Sequence, residues 1–115
     1  MAFTENEQKA IGKALDEFME IHRPSEKIRA QIDLSFSIDN QSVTLFEIRP
    51  SIRSPKEMTH SKVAKATYVR TERQWKIYWE KSDFKWYSYS EKPIVKSFKA
   101  FLKIVGADKL HCFFG

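Results

Sequence analysis

The sequence predicts an α+β fold: an N-terminal helix, an antiparallel β-meander of about five strands, a C-terminal helix and a short apolar tail. Two observations carry this. Apolar residues recur at helical spacing near both ends of the chain and at every second position through much of its middle. Short polar links such as Asp39-Asn40-Gln41, Glu72-Arg73 and Ser82-Asp83 separate the alternating runs, and links that short join antiparallel neighbours.

The first helix opens at Thr4-Glu5-Asn6-Glu7, a capping box. Thr4 accepts from the backbone N–H of Glu7 while Glu7 reaches back to that of Thr4. Ile11, Leu15, Phe18 and His22 form one stripe, and Pro24 disfavours helical geometry at Arg23, so the helix stops near there. From Ile28 to Ile38 apolar and polar residues alternate, the pattern of a half-buried strand, and Val43–Arg49 is its return partner. Pro50–Met58 reads as a loop. Strands follow over Val63–Thr71, Trp75–Lys81 and Phe84–Ser90. Beyond Pro93, Phe98, Phe101, Leu102 and Val105 line one side of a second helix, with Lys96, Lys99 and Lys103 on the other and Gly106 as the residue just past its end. The closing KLHCFFG is apolar enough to dock as a short strand or plug.

At 115 residues the chain is one domain, residues 1–115, and its 42% hydrophobic content suffices for a core without staples. A single cysteine, Cys112, precludes an internal disulfide. With no signal-peptide pattern ahead of Phe3, the reading is a reduced, cytoplasmic protein. No run approaches the roughly 20 apolar residues that span a bilayer, so no membrane partner is expected. The net charge of +5 is uneven: residues 1–60 carry 8 Lys and Arg against 10 Asp and Glu, whereas residues 61–115 carry 12 against 5. A cationic half attracts polyanions.

Several chemistries fail on spacing. His22, His60, His111 and Cys112 cannot be grouped as zinc ligands, so no metal is expected. Cys112 sits in an apolar context that suits an inert, buried thiol. Only Gly12, Gly106 and Gly115 are available, so no phosphate-binding glycine loop can be written and no cofactor is expected. The one enzymatic candidate is nuclease-like: Asp33, then Glu47 and Arg49 two apart on the return strand, then Lys65. Two carboxylates can hold Mg²⁺ beside a cation that stabilises phosphoryl charge. The order is loosely similar to restriction-endonuclease-like enzymes, with Arg49 in place of their lysine. Charge pairs on a solvated face are the commoner origin of such a pattern.

The segment Tyr68–Tyr89 stands out. It holds all three tryptophans, Trp75, Trp79 and Trp86, interleaved with cations. One reading has the tryptophans in the core and the tyrosines covering a sheet edge or packing under the tail. The sequence leaves core or surface open for Trp75, Trp79 and Trp86. Exposed beside Arg70, Arg73, Lys76 and Lys85, Tyr78, Tyr87 and Tyr89 would form a platform for stacked bases and phosphates. The expected function is therefore non-enzymatic binding of nucleic acid. Self-association or a protein partner on the same face is the alternative, since Tyr, Trp and Arg are also enriched at protein interfaces.

The runs IDLSF, VTLFEIRP, VAKATYVR, WKIYWEKSDFKWYSY and the terminal CFFG resemble the domain-of-unknown-function family numbered three thousand and twenty-four, over Phe3 to Gly115. The resemblance implies a small, free-standing bacterial protein. It implies no activity, ligand or catalytic residue.

Overall fold

The computed structural model describes residues 3–107 apart from residues 52, 55 and 82. The tail 109–115, with His111 and Cys112, lies outside the described residues. Helix α1 (Glu5–His22) opens on the expected capping box: Glu7 N donates to Thr4 Oγ1 at 3.2 Å and Thr4 N to Glu7 Oε1 at 2.8 Å. Arg23, extended before Pro24, ends it. Strands β1 (Asp33–Asp39), β2 (Ser42–Pro50), β3 (Met58–Val69), β4 (Gln74–Glu80) and β5 (Trp86–Ser88) follow as an antiparallel meander in sequential order. A two-residue strand β6 (Ile94–Val95) then pairs with Trp75 and Lys76 of β4, and α2 (Phe98–Ala107) closes the fold.

The α+β class and the meander are as expected. Strand β3 begins at Met58, five residues ahead of the expected Val63, and ends at Val69, and four further details differ. Residues 28–32 alternate but form turns, with Ile28 N bonded to Ser25 O and Ile32 N to Ile28 O, so β1 starts only at Asp33. Phe84–Ser90 shortens to Trp86–Ser88, because Asp83 Oδ1 accepts from Lys85 N and Phe84 takes a left-handed φ of 62°. The chain after Pro93 goes back to the sheet before it coils. Gly106 lies inside α2, not beyond it; the helix is begun by Ser97, whose Oγ accepts from Ala100 N.

One hydrophobic cluster joins the helices to one face of the sheet. Ile11, Leu15 and Phe18 of α1 and Phe98, Phe101 and Val105 of α2 pack over Val43, Leu45, Ala66 and Ile77. Phe101, Leu15, Leu45 and Ile77 are fully enclosed, each contributing roughly 1.5–3 kcal/mol by removing its apolar surface from water. Neither helix covers the opposite face.

Candidate nucleic-acid interface

Cross-strand partners share a face of a sheet, so the register assigns every side chain to one side. Lys65 pairs with Tyr78, Tyr78 with Ser88, Thr67 with Lys76 and Glu80 with Trp86. These residues make up the face away from the helices. Trp79 pairs with Tyr87, and Ile77 with Ala66, on the helix-covered face.

Lys62 reaches the open face by a register break. Three residues from Lys65, it would point the opposite way on a regular strand. The ladder steps from Leu45–Ala64 to Phe46–Lys62, leaving Val63 as an extra, buried residue. Such a bulge restores both lysines to one side. Both ammonium groups then converge on the rings. Lys65 Nζ lies 4.8 Å from the Trp86 ring centroid and 5.1 Å from that of Tyr78, and Lys62 Nζ lies 5.9 Å from Trp86. Such placement is a cation–π arrangement. Burial among these neighbours pushes the Lys65 ammonium pKa below its ordinary value, and the charge of Lys62 adds to the effect. Glu80 Oε2, 3.7 Å from Lys62 Nζ, is the counter-charge.

The residues expected to bind are divided by this geometry. Tyr78 and Lys76 are on the open face, and Lys76 is exposed. Tyr89 is corrected: it is only 2% exposed, with its N–H bonded to Ile77 O, and belongs to the core. Tyr87 is half-buried and separated from Tyr78. It faces the helix side beside Trp79, Lys81 Nζ lies 4.3 Å from its centroid, and its hydroxyl donates to Asp83. Arg70 is occupied by Glu7, with both guanidinium Nη atoms 2.9 Å from its carboxylate oxygens. That bond is the main cause of the fall in the Glu7 pKa from an ordinary 4.5 to about 2. Arg73 is exposed in the β3–β4 turn and Lys85 near the β4–β5 turn, both off the face. In their place stand Trp86, Lys62 and Lys65.

The nuclease-like set does not assemble. Asp33 pairs with Ile48 and Glu47 with Leu34, so adjacent register positions send the two carboxylates to opposite faces. Arg23 grips Asp33 through two 2.9 Å hydrogen bonds and holds its carboxyl below the usual range. Arg49 is bonded to Glu47, and Lys65 stands over the rings. No cluster of three or more His, Cys, Asp or Glu that could hold a metal occurs among the described residues.

The family model for a domain of unknown function (DUF3024) matches residues 3–115. The chain belongs to that family. No curated protein matches the chain, and no solved structure matches it. The match gives this DUF3024 chain no ligand and no catalytic residue. No described helix is long and apolar enough to cross a membrane.

Proposed function

We propose that residues 1–115 act as one non-enzymatic domain that binds single-stranded nucleic acid across the open face of the sheet. The observation that supports this reading is Lys65, held between Tyr78 and Trp86 with Lys62 beside it, on a face that neither helix covers. Bases stack on the two rings, which tolerate any sequence, while Lys62, Lys65 and Lys76 meet phosphates. The Lys65 ammonium has already lost part of its hydration, so less water is displaced when a phosphate arrives. A cytoplasmic location accords with this reading, since nucleic acid is met there.

Fluorescence anisotropy with labelled oligonucleotides tests it. Three phosphates neutralised give a slope of log affinity against log salt of about −2 for a single strand. Lys65→Ala makes the slope shallower by about 0.7. Absence of binding at low salt, or binding indifferent to salt, overturns the proposal.

A further inference from the structure

Strand β1 is an edge. All its register partners lie on β2, and among the described residues no strand pairs with its other side. The two-residue loop to β2 is closed by Asp39 and Ser42. Such a closing pair exchanges both backbone hydrogen bonds, and bonded pairs then alternate along the ladder. Ser37 and Ser35 therefore bond to β2, and the N–H and C=O groups of Leu34, Phe36 and Ile38 turn to the open edge, where Asp33 Oδ1 accepts from Leu34 N at 2.7 Å. Their side chains share the helix side of the sheet but run out from under the helices: Leu34 is buried, while Phe36 and Ile38 are 37% and 38% exposed. Sheet edges are commonly guarded by lysine, proline or a bulge. Residues 34–38 have none of these.

We propose that β1 pairs with β1 of a second copy of this chain, antiparallel about a two-fold axis through Phe36, so that two sheets become one. The strand reads Asp-Leu-Ser-Phe-Ser-Ile-Asp, a chemical palindrome centred on Phe36. Two-fold pairing sets Phe36 against Phe36, Leu34 against Ile38 and Ser35 against Ser37. Apolar residues meet on one face and hydroxyls on the other, so a single register satisfies both. A two-fold interface requires this self-complementarity. The N–H and C=O of Phe36 in each copy bond to those of the other, and Ile38 N–H bonds to Leu34 C=O, while Leu34 N–H stays with Asp33 Oδ1.

At each corner Asp33 comes opposite Asp39 of the other copy, a repulsive pairing on its own. Arg23 answers it. Its guanidinium holds Asp33 and remains 41% exposed, so the arriving Asp39 finds a cation already in place. The charges complement one another at both ends of the palindrome.

Sedimentation equilibrium of the full chain tests this. The wild type is expected at twice the 13.6 kDa chain mass, falling towards one chain on dilution. Phe36→Lys and Phe36→Glu each place like charges on the axis and are expected to be monomers with unchanged far-ultraviolet circular dichroism, because position 36 already meets solvent. An equimolar mixture of the two is expected to restore the dimer, Lys against Glu. Ile38→Lys, opposite Leu34, is a second variant expected to be monomeric. A wild type that stays monomeric at every attainable concentration overturns the proposal, as does a dimer that survives both Phe36→Lys and Ile38→Lys. A mixture that stays monomeric beside a dimeric wild type overturns the register.

Discussion

Replacing Trp86 and Tyr89 with alanine, one at a time, separates a recognition surface from a core. The two residues sit three apart in one aromatic run, yet Trp86 lies on the open face beside Lys65 while Tyr89 is sealed on the helix side. Loss of one stacked base costs roughly 1–3 kcal/mol, about 5- to 150-fold in affinity. Loss of the Lys65 contact with the Trp86 ring costs folding stability only about 0.5–1 kcal/mol. Tyr89→Ala opens a cavity under the helices, and buried aromatic truncations cost about 3–5 kcal/mol. At about 4 °C per kcal/mol for a chain of this size, Tm falls by roughly 12–20 °C. Anisotropy titration at low temperature and thermal unfolding followed by circular dichroism give the two readouts. The expected result is a crossed pattern: Trp86→Ala weakens binding with a small change in Tm, and Tyr89→Ala lowers Tm while its folded fraction binds as the wild type does. Wild-type affinity in Trp86→Ala, or a folded Tyr89→Ala that has lost binding, refutes the assignment of faces.

Two further outcomes follow from local geometry. The Glu7 carboxyl is held at about 2 against an ordinary 4.5, chiefly by Arg70, so the pair stabilises the fold above pH 4.5 and that stability is lost as pH falls towards 2. Asp33, held down by Arg23, acts in the same direction. Arg70→Ala should therefore flatten the fall of Tm with acidification, and an unchanged pH profile would contradict the ion pair. Gly106→Ala adds a Cβ 2.8 Å from His22 Nε2, the far end of an exposed side chain that packs on Phe18 and can turn away. Alanine favours a helix interior by up to about 1 kcal/mol, so urea unfolding should show a gain that is largest when His22 is also alanine; a loss in that background would contradict the helical placement of Gly106.

Where sequence and structure agree, the signal was local. The capping box and Pro24 bound α1 because each acts within one turn of backbone. The alternation of Trp75 and Ile77 puts both on one face because a strand has a period of two, and the structure shows that face to be the buried one. The differences arise where a partner decides. Residues 28–32 alternate as a strand does, yet Arg29 Nε donates to Pro24 O and the backbone turns instead. Alternation counts faces but does not supply a neighbouring strand. Tyr87 and Tyr89 face the helix side and Trp86 the open side because the β4–β5 register, Trp79 to Tyr87, sets which face is inward, and register is a long-range property. The bulge that brings Lys62 beside Lys65 leaves no mark on the local pattern. Two lysines three apart read as opposite-facing on a strand, and only the shift opposite Leu45 and Phe46 unites them.

The uncovered side of the sheet is the proposed binding surface. Amide and indole chemical-shift mapping during titration with an unstructured oligonucleotide tests it most directly. The predicted result is a set of shifts at Lys62, Lys65, Lys76, Tyr78 and the Trp86 indole, with the Trp75 indole and the helix amides still. Shifts concentrated on α1 and α2, or none at all at low salt, would contradict it.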